Sequence, residues 1–211
     1  MQAETADGSV ARKQFERLIF FSDAVFAIAI TLLVLDLKSP AGSFDLSYFN
    51  QITPKLLGFG ISFFVIGLYW IAHHQLFGTL RRENRTLLHV NLLFLASIVF
   101  LPFPTSIIAD STSAASVTFY AMSVAAVGVL LTILTIVARR PSLMHAGETR
   151  GGTIELIIQY VAAPTVFLLS TPVSIHSPVI ASLMWILVLP ANLIAGKLGA
   201  KVRRKIDKHL R

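Results

Sequence analysis

A chain of 211 residues that is 55% apolar and only 14% charged, with a mean hydropathy of +0.71, has too little polar residue to cover a soluble domain of its length. Its composition is that of an integral membrane protein, with the lipid bilayer as its surroundings. The net charge of +7 raises the question of nucleic acid, but the basic residues flank apolar runs, where anionic headgroups and the positive-inside rule put them, so no nucleic-acid partner is expected. The absence of cysteine excludes disulfides and thiolate metal sites.

Runs of roughly 20 apolar residues, enough to cross the hydrocarbon layer, are read at 18–37, 56–77, 87–103, 114–138, 154–169 and 179–194. The first carries Asp23 within its opening turns, an expensive place for a charge that marks it as a candidate functional residue. It is longer than the apolar core of a signal peptide and ends in Asp36 and Lys38, so it is expected to stay in the mature protein. The fifth run is the shortest, with Glu155 at its start and Pro164 inside it. Lys and Arg alternate between loops: Arg12, Lys13 and Arg17 precede the first span, Arg81, Arg82 and Arg85 follow the second, Arg139, Arg140 and Arg150 follow the fourth, and a basic tail runs from Lys197 to Arg211. With only Lys38 and Lys55 on the other side, sixteen of the eighteen basic residues share one side, which predicts cytoplasmic N- and C-termini.

No repeat, low-complexity tract or large hydrophilic segment interrupts this pattern, so residues 1–211 read as a single transmembrane domain. P-loop, GxSxG, HExxH and dinucleotide signatures are absent, and the chain is not expected to be an enzyme. Gly58-Phe59-Gly60 resembles a fragment of a potassium filter loop but lacks the preceding Thr-Val and lies inside an apolar run.

Topology places five polar side chains at a similar depth near the cytoplasmic face: Asp23 on the first span, His73 and His74 late on the second, His89 and Asn91 early on the third. A buried carboxylate needs such partners. The group reads as interhelical glue, as a proton relay or as a cation site. No metal site with defined ligand spacing is found, and no cofactor is expected. Ile28, Leu32 and Leu35 recur at spacings of four and three on one helical face, with Thr31 beside them. From composition alone, such a stripe faces lipid or other helices.

Arg17, Phe21, Ser22 and Asp23 match the RxxxFSD signature at the start of helix 1 in the transmembrane protein 175 family of lysosomal and prokaryotic potassium-permeable channels. The following AVFAIAITLLVLDL resembles its continuation. Trp70 with His73 and His74, and Asn91 to Leu93 followed by Pro102 and Phe103, extend the match through the third span, whereas the last three match only in number and hydrophobicity. The resemblance implies an all-α channel of six transmembrane helices without a re-entrant filter loop. Single-repeat members of the family assemble as homotetramers around helix 1, with a constriction at positions matching Ile28, Leu32 and Leu35 and a threonine layer at Thr31.

The expected function is therefore a potassium-permeable cation channel in a prokaryotic inner membrane, with potassium ions as the permeant species. A small proton-coupled transporter using Asp23 and a histidine is the alternative, and a non-conducting membrane scaffold is the second. No broken helix pairs recur in two halves, which weighs against the transporter.

Overall fold

A computed structural model describes residues 2–38 and 45–209, with side chains from Arg12 onward. Arg211 of the basic tail lies outside the described residues. The helices are α1 (Gln2–Leu32), α2 (Leu46–Phe77), α3 (Arg85–Phe100), α4 (Pro102–Asp110), α5 (Ala114–Ala138), α6 (Arg150–His176), α7 (Pro178–Met184) and α8 (Val188–His209). A 3-10 turn, Leu33–Asp36, closes α1, and another, Trp185–Leu187, joins α7 to α8.

Side chains that satisfy orphan amides set most of the helix starts. Asp45 accepts from the Tyr48 amide at 2.9 Å, Asn84 from Leu87 at 2.8 Å and Thr149 from Gly152 at 3.1 Å, while Ser113 and Ser116 form a reciprocal capping box. Pro102 sits where its missing N–H costs nothing, at the first position of α4.

Among the described residues six stretches are long and apolar enough to cross a membrane: Arg12–Asp36, Leu46–Phe77, Arg85–Asp110, Ala114–Ala138, Arg150–His176 and Pro178–His209. Each coincides with one run read from the sequence, the first ending one residue short of it. The fifth run corrects the expectation, since α6 is 27 residues long and passes through both Pro164 and Pro172. Proline is tolerated inside a membrane helix where neighbours accommodate its ring. Here Gly128 of α5 does so, because a Cβ at that position would lie 2.6 Å from the Pro164 Cγ.

The basic segments gather at one end of the bundle. Phe15 near the start of the first span stacks on Phe77 at the end of the second, with ring centroids 6.1 Å apart. The α2–α3 and α5–α6 connections pair as a short antiparallel bridge, with the Arg81 amide donating to the Leu143 carbonyl at 2.9 Å and His145 to Thr79 at 3.0 Å. Arg203 near the end of α8 reaches Glu155 near the start of α6 at 3.2 Å. Toward the opposite end, Lys55 lies 2.8 Å from Asp110 and 3.8 Å from Asp36.

Helix α5 is the most enclosed, with 56% of its most apolar window buried against 28% for the first span. It packs on α3, α4 and α6, whereas α1 leans on α2 and α3 and touches α4. Buried hydroxyls join the halves: Ser62 lies 2.7 Å from the Thr105 hydroxyl and 3.0 Å from that of Tyr120, and Tyr69 donates to the Val124 carbonyl at 2.9 Å.

Candidate functional site

Helix α1 divides lengthwise into a packed face and an open one. Phe15, Leu18, Ser22, Phe26, Ala29 and Leu33 are buried. Arg17, Phe21, Ala24, Ile28, Thr31 and Leu35 are all exposed, at spacings of four and three in strict alternation, the period of a seam between helices. Ile28 is 56% exposed and Leu35 70%, while Leu32 at 37% lies at the margin of the open face. Leu35 falls within the 3-10 turn, so its place comes from a tightened backbone and not from the regular helical period that the sequence suggests. The Thr31 hydroxyl donates to the Ile28 carbonyl at 2.9 Å, which leaves the oxygen lone pairs free to accept or to face a cation.

Three adjacent residues of this helix point in different directions, because successive positions on a helix turn by about 100°, and two of them hold it in place. Phe21 lies on the open face, Ser22 is fully buried, and Asp23 is half-buried. The Asn91 amide on α3 donates to the Ser22 hydroxyl at 3.0 Å, and Ser22 donates to the Leu18 carbonyl at 2.9 Å. The other end of Asn91, its Oδ1, lies 2.9 Å from His73 Nε2 on α2. Since Asn91 Oδ1 can only accept, His73 carries its proton on Nε2, and the chain runs in one direction from α2 through α3 to a backbone carbonyl of α1. His73 is walled by rings, with centroids 4.1 Å from Phe77, 5.5 Å from Phe94 and 5.6 Å from Phe26.

Asp23 stands apart from that chain. Its Oδ1 accepts from Trp70 Nε1 at 2.9 Å, and His74 stacks on Trp70 with centroids 5.5 Å apart. The single five-residue cluster read from the sequence is therefore two separate anchors. His89 belongs to neither, being exposed with its Nδ1 donating to the Arg85 carbonyl at 2.7 Å. Ser22 at the centre of the buried anchor was legible only through the motif, since a serine that returns its proton to its own helix leaves no mark in hydropathy. Among the described residues no group of His, Asp or Glu has the geometry to hold a metal.

A bundle of six helices able to cross a membrane among the described residues, with its first helix pinned on one face by polar bonds and left open on the other, is that of a multi-pass membrane protein. Residues 17–102 match the model of the family described as endosomal/lysosomal potassium channel TMEM175. Over that stretch the chain is similar to the TMEM175 family. It is 40% identical over 97 residues to a potassium channel of Streptomyces collinus, a match covering 44% of this chain and 47% of that protein. With a potassium channel of Chamaesiphon minutus it shares 38% over 99 residues, 44% and 49% of the two chains. The endosomal/lysosomal proton channel TMEM175 of Mus musculus matches at 36% over 98 residues, 41% of this chain and 20% of that one. The matched segment thus spans about half the length of the bacterial relatives. The fold likeness reaches further: a crystal structure of a lysosomal potassium-selective channel TMEM175 homolog from Chamaesiphon minutus superposes with a TM-score of 0.75 at 27% identity, over 87% of this chain and 98% of that one.

Proposed function

We propose that this chain, acting as one domain over residues 1–211, is a potassium-permeable cation channel of a prokaryotic inner membrane, assembled as a homotetramer around α1. The observation that carries the reading is the open face of α1, on which Ile28 and Leu35 are exposed along a seam-like repeat. The potassium-channel names of the bacterial relatives support it. So does the gathering of the basic segments at one end of the bundle, which corresponds to cytoplasmic termini. A single copy cannot surround a path with one helix face; four copies turn each exposed position into a ring.

At the Ile28 ring an ion sheds part of its water and finds no oxygen to replace it. Hydration is then the barrier. Potassium holds its shell less tightly than sodium and passes preferentially, with weaker discrimination than a carbonyl filter gives. Leu32 and Leu35 form further apolar rings that close by dewetting, and the Thr31 oxygens offer lone pairs to ions beside them. Asp23 with Trp70, and Ser22 with Asn91 and His73, brace the helix behind the path.

The proton-coupled transporter is the weaker reading. Asp23 and His73 belong to different anchors, and the His73 chain ends on a backbone carbonyl with aromatic rings around the imidazole. Reconstitution in liposomes under a potassium gradient tests the proposal by current reversal. Ile28→Asn should wet the constriction, raise conductance and lower the preference for potassium, with stability little changed; parent-like conductance and selectivity would remove Ile28 from the narrowest point. A native mass giving a stable monomer or dimer would refute the tetramer.

A further inference from the structure

The basic end of the second half carries a surface that ion conduction does not use. Arg139 is almost wholly enclosed there, with a side chain only 1% exposed, and it bonds Glu148 at 2.7 Å. It also donates to the Thr153 hydroxyl at 3.1 Å and to the Thr149 carbonyl at 3.3 Å. Thr149 donates to Asp207 at 3.2 Å, and Arg203 lies 3.2 Å from Glu155 and 3.6 Å from Asp207. The three carboxylates here, Glu148, Glu155 and Asp207, are thereby engaged. The two helices meet closely: a Cβ on Gly151 would lie 2.6 Å from Asp207 Oδ1, and one on Gly199 would lie 3.0 Å from the Glu155 carbonyl.

Beside this clasp runs a groove of about 420 Å³, lined by Arg150 and Ile154 of α6 and by Lys205, Ile206 and His209 of α8. None of its three basic residues is paired with a carboxylate among the described residues. His209 Nδ1 donates to the Lys205 carbonyl at 2.8 Å, which leaves Nε2 to donate to an outside anion when the ring carries both protons. Arg150 opens the fifth span, so the groove lies at the level where hydrocarbon gives way to headgroups. Exposed Lys197, Lys201, Arg204 and Lys208 continue the positive charge along α8.

We propose that this groove is a binding site for an anionic phospholipid. The phosphate sits among Arg150, Lys205 and His209, and the first carbons of an acyl chain lie along Ile154 and Ile206. Charge complementarity selects the phosphate. The apolar floor at the membrane boundary selects a lipid over a free anion. The clasp makes the site stiff, because it engages the neighbouring acids and fixes α8 against α6.

The test is native mass spectrometry of the full chain, released from membranes containing equal parts of phosphatidylglycerol and phosphatidylcholine. The readout is retained lipid and not current, so it stands or falls separately from the channel reading. The parent chain should retain phosphatidylglycerol preferentially. Arg150→Gln with Lys205→Gln should weaken that retention roughly 25-fold, about fivefold for each charge removed near an anionic surface, without changing the elution volume. Lys13→Gln with Arg140→Gln removes equal charge from exposed sites outside the groove and should leave retention unchanged. Equal loss in both double variants would mean diffuse attraction and overturn the site. Displacement of the lipid by inorganic phosphate at equal concentration would overturn the lipid assignment.

Discussion

The two halves of this molecule solve different problems with the same material. In the second half, α5 and α6 meet through a glycine against a proline ring, α8 lies on α6 through Gly199, and an enclosed arginine fastens the connection between α5 and α6. The first half holds α1 by two small polar anchors and leaves a whole face of it unpacked. Close packing makes a scaffold, and a helix with an open face makes a surface available for a partner or a path. The family model matches residues 17–102, the half with the open helix, whereas the fold is shared with a solved homolog across most of the chain. Many apolar sequences meet the demands of a scaffold; few keep a polar anchor and an open apolar face on one helix.

The largest expected effect falls on the scaffold. Gly128→Val would drive a side chain into the Pro164 ring, which cannot rotate away, and overpacking of this kind costs on the order of 1–3 kcal/mol or more. A fall in the thermal midpoint in detergent, with no preserved assembly, is the expected outcome; a parent-like midpoint would show that α5 and α6 are not in close contact. The buried anchor comes next. Asn91→Leu orphans the His73 N–H, at a cost of about 1–3 kcal/mol, and takes a donor from Ser22, which keeps its bond to the Leu18 carbonyl. Because the loss is at the seat of α1, assembly should suffer with stability, and cross-linking yield measured beside thermal stability separates the two.

A smaller effect is expected at the half-buried anchor, where Asp23 keeps one bond from Trp70. Asp23→Ala should cost roughly 1 kcal/mol, and Asp23→Asn should recover most of it because the amide oxygen still accepts from the indole. Equal losses for both would place the value in the charge and not in the hydrogen bond. The smallest effect concerns Glu83, in the connection before α3, whose carboxyl is pushed above its ordinary value by burial. The fold binds this proton more tightly than the unfolded chain does. Its contribution to stability is complete below the ordinary carboxylate value and lost as pH rises through the raised one. Glu83→Gln should flatten that dependence in thermal melts across the acidic range, leaving the parent alone with the slope.

Much of this protein was legible before any coordinates. Six apolar runs and the alternation of basic loops determined the number of spans and the shared end of the charged segments, because a bilayer leaves the backbone no other way across and charge cannot follow it. The motif at Arg17, Phe21, Ser22 and Asp23 marked the helix that matters. Pairing was not legible. Depth alone put His74, His89, His73, Asn91 and Asp23 together, but depth carries no azimuth, and only packing turned His89 outward and sent Ser22 and Asp23 to different helices. The same holds for Pro164, which reads as a break until the missing side chain of Gly128 is found opposite it. Hydrophobicity along a chain is a one-dimensional signal that fixes which segments leave water. Which faces meet is decided by contacts between residues far apart in sequence, and those exist only once the helices have packed.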